Sequence, residues 1–398
     1  MILIKWIKII SYNLLIFFAI LIIAELFLGK WGNDDHPLLE YQIFNKTYID
    51  RSPIDIIPEK IVIYPKPNGF RYFSDVNLEK NKDCLIITMG GSTTQQFIMS
   101  DEETWSHKLQ NKLNSSKIRI DDNCSGRYIV MNVGMSGHNL LNNRWLLKNY
   151  IHTSKLYPKA IIIYQGINDR YPSLNVDAKF MLLRDIKHEI VHDLQYKSFF
   201  INSINKIVKS YNEPELNNIV DHNYNNDGLL FRIELEGKKT ENEFVYEKLD
   251  KNYIKNFNTL NGVKYHRKTI QRFISFSQKH FPKTKLIFIT QTKPTCDLTD
   301  FPNNLGYMNS IENKTNKLPE NFNHDDWLSP RGDCFRLGII KSNYLSIIAE
   351  NQNIKVIDYA GKFVEKLDES YDGYHKTPKG SDLFINRVIN SLLMGIIN

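Results

Sequence analysis

Apolar positions along this chain fall into three regimes. From 9 to 28 they are nearly continuous, and 14–24 holds no polar residue. From residue 84 onward, short apolar runs alternate with stretches of helical spacing. Between these regimes, and in two later stretches, no period is sustained. The runs at 85–89, 128–133, 160–164, 286–290 and 354–357 lack a regular polar alternate, as strands buried on both faces do. Helical patterns lie near 103–114, 139–153, 263–280, 336–350 and 377–394. Strand and helix in alternation predict a parallel sheet covered on both faces, a three-layer α/β/α arrangement of flavodoxin-like topology.

The first regime predicts one transmembrane helix at 9–29, since about 20 residues of helix match a bilayer core. Lys5 and Lys8 precede it, and Asp34 and Asp35 follow Lys30. The positive-inside bias then puts residues 1–8 in the cytoplasm and the rest of the chain outside, in the periplasm or extracellular space. No small-x-small cleavage pattern follows Ala24, so an uncleaved anchor is expected. Residues 30–80, with Pro53, Pro58, Pro65 and Pro67, read as a stalk and irregular lead-in. Residues 81–398 read as one α/β domain with insertions at about 171–262 and 293–335. Within the first insertion, the Tyr and Lys interleaving at 196–211 reads as an amphipathic helix.

Composition narrows the picture. With 42% hydrophobic and 24% charged residues, a mainly disordered or collagen-like chain is excluded. The net charge of +7 spreads over 51 basic and 44 acidic residues without a long basic run, which argues against a nucleic-acid surface. No Gly-x-x-x-x-Gly-Lys loop and no Gly-x-Gly-x-x-Gly turn occurs, so no nucleotide cofactor is expected. Cys84 opens the first predicted strand and Cys124 lies just before the second. Neighbouring parallel strands would bring these starts together, which makes a Cys84–Cys124 bridge on the rim opposite the strand ends a candidate, with four reduced thiols as the alternative. Cys296 and Cys334 bracket the second irregular stretch and make a second candidate pair. An outward compartment is oxidising, which permits both.

Candidate chemistry gathers after the strands. The first ends in Gly90-Gly91-Ser92-Thr93-Thr94, and the second in Asn132-Val133-Gly134-Met135-Ser136-Gly137-His138. The third ends in Gly166-Ile167-Asn168-Asp169, and Asp372-Gly373-Tyr374-His375 precedes the last helix. In an open parallel sheet, ligands bind beyond the carboxyl ends of the strands. There Ser92 would be a hydroxyl nucleophile, and His375 a base suited to neutral pH. Asp372, three residues earlier, would fix the imidazole tautomer. The backbone amides of Ser92 and Gly137 and the side-chain amide of Asn168 would hold an oxyanion.

On these residues the chain resembles the SGNH (GDSL-type) hydrolases, a family of serine esterases and related acyltransferases. Its four blocks supply Ser, Gly, Asn and His. Ser92 in Gly-Gly-Ser-Thr-Thr matches the first, Gly137 the second, Asn168 in Gly-Ile-Asn-Asp the third, and Asp372 with His375 the last. The resemblance covers about 82–170 and 350–396 and leaves the middle uncovered. Gly91 stands where many members carry Asp, and a Gly-Gly-Ser-Thr variant is known among membrane-anchored envelope members. The resemblance implies a cofactor-free serine esterase acting on O-acyl or acetyl esters of an envelope glycan or lipid. An O-acyltransferase with the same triad is the alternative, and an inactive envelope assembly factor is another.

A rival motif is His188-Glu189-Ile190-Val191-His192, which fits the His-Glu-x-x-His zinc pattern with Glu213 or Glu215 as a third ligand. Its charged neighbours, Arg184, Asp185, Lys187 and Asp193, fit a solvated helix face equally well. No metal is expected on balance.

Overall fold

The computed structural model describes residues 2–29, 31, 47–50, 60–63, 71–72, 83–96, 99–116, 119–120, 124–152, 156–169, 187, 194, 197–201, 203–204, 261–294, 296, 298–299, 330–349, 354–370 and 374–394. The chain divides into two compact units, Met1–Pro37 with Leu182–Asn225, and Leu38–Met181 with Asn226–Asn398. In the first unit, helix α1 (Ile2–Leu28) contains an apolar stretch, Lys5–Leu28, long enough to cross a membrane. Most of its side chains are exposed, which is the condition of a helix that needs an apolar solvent rather than a protein core. The helix starts earlier than 9 because Trp6 and Ile7 continue the apolar pattern.

The second unit is built on a sheet of order β3-β5-β4-β6-β7-β8. Its strands are β3 (Arg71–Tyr72), β4 (Cys84–Gly90), β5 (Tyr128–Asn132), β6 (Ala160–Tyr164), β7 (Lys285–Ile289) and β8 (Ile354–Ile357). The last five are parallel, and their order is the expected flavodoxin-like one. β3 is an antiparallel edge strand on β5. A separate hairpin pairs β1 (Thr47–Asp50) with β2 (Lys60–Ile63). The expectation of an irregular lead-in over 30–80 therefore misses three short strands. Segments of two to four residues are too short to carry a period.

Alternation along each strand assigns the layers. Leu85, Ile87 and Met89 of β4 pack with α4 (Leu140–Leu146), α5 (Asn261–His280) and α6 (Pro330–Ala349), through residues such as Leu146, Phe273 and Tyr344. Cys84 and Ile86 turn the other way, toward α3 (Trp105–Ser115) and α8 (Pro378–Met394), where Trp105 meets Phe384 edge-on at 5.5 Å. The described residues of this unit also include two short helices, α2 (Ser92–Gln95) and α7 (Tyr359–Lys362). α6 begins at Pro330 rather than near 336. Proline is well placed in a first helical turn, but the Pro-Arg-Gly-Asp start shows no apolar period to reveal it. Both cysteine pairs are joined in the structure. Cys84 and Cys124 lie 5.9 Å apart at Cα at the amino end of β4, and Cys296 and Cys334 lie 5.2 Å apart, tying the segment after β7 to α6.

The approach to α8 is held by charge buried in the second layer. Lys376 pairs with Glu365, and both side chains are buried. The Lys376 ammonium also lies 5.5 Å from the ring centre of Phe384 and 5.8 Å from those of Tyr164 and Tyr359. Glu369 takes a two-pronged bond from Arg387 at 2.6 and 3.0 Å, and its carbonyl accepts from the Thr377 amide. Removing one partner of a buried pair strands the other charge. Glu365→Ala should therefore cost about 3–5 kcal/mol in denaturant unfolding, and the double change Glu365→Leu with Lys376→Met should cost much less. Equal losses in the two variants would mean that packing, not charge, holds this segment.

Candidate active site

Strand order reverses at β4, since the chain passes from β4 to β5 on one side and then to β6 on the other. A crevice beyond the carboxyl ends of β4 and β6 follows from that reversal. The register sets Gly90 beside Tyr164, so the loops leaving these two strands start side by side. Ser92 is the first residue of α2, capped by Gly91, and its side chain is half-buried. Polar contacts with neighbouring segments fix this short helix. Thr94 Oγ1 donates to the Tyr164 carbonyl at 3.0 Å, and Asn132 Nδ2 donates to the Thr94 carbonyl at 2.7 Å. The Ser136 amide donates to Gln95 Oε1 at 2.8 Å, and the Trp105 amide to Gln96 Oε1 at 2.6 Å. A helix of four residues cannot hold itself, so its stability comes from these neighbours.

The second and third blocks meet the first directly. Asn168 Nδ2 donates to the His138 carbonyl at 3.0 Å, and Gln165 Nε2 reaches the same oxygen at 3.1 Å. An amide NH2 has two hydrogens, and the bond to His138 uses one. A Cβ at Gly91 would collide with that same Asn168 nitrogen. Gly137 adopts φ +75°, a region that disfavours side chains, and open space surrounds the position a Cβ would take. Among the described residues, the backbone N–H groups of Ser92 and Gly137 have no acceptor.

The fourth block is tied to the same rim by two bonds. Lys293, just past β7, donates to Tyr374 Oη at 3.1 Å, with its ammonium 4.7 Å from the ring centre. Gln96 Nε2 donates to Ser381 Oγ at 2.9 Å, linking the end of α2 to the first turn of α8. His375 is half-buried between these fixed points, flanked by Tyr374 and the buried Lys376. Asp372 lies outside the described residues, as do His188, Glu189, His192, Glu213 and Glu215. Among the described residues, no group of three His, Cys, Asp or Glu side chains is arranged to hold a metal.

Several supports escaped the sequence reading. Asp169 Oδ1 accepts from the Leu140 amide at 2.8 Å, and its other oxygen lies 3.7 Å from His266 Nε2, both side chains fully buried. His266 Nδ1 in turn contacts Asn343 Nδ2 at 3.0 Å. The loop after β6 is thereby fastened to α4, α5 and α6. The signal was a polar residue on an apolar face, since His266 lies three residues after Val263 and four before Ile270, both core residues.

His138, in the loop between β5 and α4, is half-buried. Burial lowers its imidazole from 6.5 to about 4, against a smaller opposing effect of a hydrogen bond with Asn143. The folded protein therefore keeps His138 neutral, while the unfolded chain takes up a proton there below its ordinary value. Stability from this residue is complete above about pH 6.5 and is lost as the pH falls toward 4. His138→Asn should flatten the acid-side decline in unfolding free energy across that window, measured by denaturant titration at several pH values. An unchanged slope would place the proton uptake elsewhere.

Comparison with known proteins gives structural likeness only. No family model matches the chain, and no curated protein does. Among solved structures it is similar to the psychrotrophic esterase EstA from Pseudoalteromonas sp., at 12% identity and TM-score 0.38, covering 79% of this chain and 99% of that one. It is also similar to a lipase/acylhydrolase from Enterococcus faecalis, at 11% identity and TM-score 0.34, covering 78% and 95%. A third is a member of the lipolytic protein G-D-S-L family from Veillonella parvula, at 12% identity and TM-score 0.36, covering 77% and 97%.

Proposed function

We propose that this protein is a serine esterase of the SGNH type, cleaving O-acyl esters outside the membrane that α1 crosses. The observation that carries the reading is the contact of three sequence-distant loops. Gly91 beside Ser92 abuts the Asn168 amide, which is bonded to the carbonyl next to Gly137. An ester carbonyl in that crevice would meet a hydroxyl and a set of N–H donors. Ser92 Oγ attacks the carbonyl carbon, and its proton passes to His375, held in its tautomer by Asp372. The oxyanion draws on the Ser92 and Gly137 amides and the second Asn168 hydrogen. Collapse breaks the ester C–O bond, with the leaving alkoxide taking the proton from His375. Water then releases the acyl group by the reverse sequence. The two disulfides fit an oxidising compartment, and Lys5 and Lys8 fit an inward-facing amino terminus.

Fluorophosphonate labelling tests the nucleophile. Wild type should be labelled and Ser92→Ala should not, with labelling unaffected by chelator. Unlabelled wild-type protein would end the enzyme reading, and loss of activity on chelation would favour zinc at His188 and His192. Asn168→Ala should lower kcat roughly 10²–10³-fold with little change in KM, since its donor bonds to the transition state more than to the substrate. An equal rise in KM instead would make Asn168 a binding group. With an acyl ester and a glycan acceptor together, free acid marks hydrolysis and acylated glycan marks transfer.

A further inference from the structure

The described insertion residues 197–201 and 203–204, helical apart from Ser198, share a compact unit with α1 and meet it at Glu25. Glu25 lies one turn inside the carboxyl end of α1, within the apolar stretch Lys5–Leu28. An acidic group there is costly unless it finds donors. Glu25 finds three. Oε1 accepts from the Phe199 amide at 2.9 Å and from the Trp31 indole at 3.0 Å, and Oε2 accepts from the Phe200 amide at 3.2 Å. Among the residues of α1 whose burial is described, Leu21, Ala24 and Glu25 are half-buried, a single helical stripe at this contact that continues to Gly29 just past the helix.

What the segment turns outward is apolar. Phe199 is 38% exposed, Ile201 36% and Ile204 59%, with Trp31 at 40%. In sequence the pattern continues through Ile207 and Val208, and Lys197, Lys206 and Lys209 are interspersed. Apolar residues at helical spacing with lysines beside them suit the boundary between headgroups and acyl chains. The depth agrees. At 1.5 Å per residue, Glu25 lies about 5 Å from the end of α1, which is where an interfacial helix rests.

We propose that this insertion segment is a second lipid contact, lying in the headgroup–acyl boundary of the bilayer that α1 crosses and docked there through Glu25. Ile201, Ile204 and Trp31 enter the acyl region. The inference rests on α1 spanning the membrane but not on the esterase chemistry.

The test uses the full-length protein in phosphatidylcholine–phosphatidylglycerol vesicles, with bimane attached at Ile204→Cys or, as a reference, Ile16→Cys. The four native cysteines are paired and do not compete. Lipids carrying a nitroxide at a shallow acyl position should quench the residue-204 label about twofold more than those carrying it deep, with the order reversed at residue 16. Adding Glu25→Ala should abolish the shallow quenching at 204 and leave residue 16 unchanged. A residue-204 label open to aqueous iodide and untouched by either lipid overturns the proposal while leaving the anchor standing. Shielding from both iodide and lipid means that protein covers the surface, which also overturns it. No lipid quenching at residue 16 removes the anchor and the proposal together. Persistent shallow quenching in Glu25→Ala overturns the docking. Fluorophosphonate labelling of the same samples reports on the esterase reading separately.

Discussion

Where the strand order reverses between β4 and β6, two loops run side by side, and Asn168 comes so close to Gly91 that a Cβ there would meet its amide nitrogen at 2.2 Å. That approach places an amide donor next to the residue opening α2. A side chain at position 91 would have to displace that amide. Much of the surrounding polar structure follows from keeping this gap closed. Thr94, Gln95 and Gln96 spend their side chains on neighbouring strands and helices rather than on their own short helix. Asn132 bridges the first and second loops, and Gln165 doubles the hold on the His138 carbonyl.

The other side of the crevice is held differently. Here ions replace amides, with Lys376–Glu365 and Arg387–Glu369 fixing the chain on either side of the approach to α8. Buried charges gain little net stability, because desolvation consumes most of their attraction. What they give is intolerance of alternatives, since a shifted loop would leave an ammonium among aromatic rings without its carboxylate. A residue set between Tyr374 and Lys376 therefore has little freedom to wander. Asp169, His266 and Asn343 do the same for the loop after β6. Side-chain amides and buried ion pairs thus both support the loops at this end of the sheet.

The sheet was legible because its strands are buried on both faces. Runs such as Ile161-Ile162-Ile163 admit no amphipathic helix, and their spacing left room for only one kind of crossover. Ser92, Gly137 and Asn168 were legible because each follows a strand directly, so strand order alone puts them on one rim. The supports were not. Lys293 and Tyr374, or Gln96 and Ser381, meet only through the folded sheet, and nothing local marks them as partners. The edge strand Arg71–Tyr72 was missed for the opposite reason: two residues hold no pattern, and only the exposed flank of β5 makes them a strand.

The Cys84–Cys124 bond joins the approach to β5 to the first residue of β4, whose partner in the ladder is Tyr128. Sliding one strand past the other by two residues would preserve which side chains face each layer, yet it would carry the sulfurs roughly 6–7 Å farther apart. Hydrophobic matching alone discriminates poorly against such a slip, because Leu, Ile, Val and Met recur along both strands. Oxidation can then act as covalent proofreading: the link closes readily in one alignment, and the chain segment carrying Ser92 is enclosed within the loop it seals.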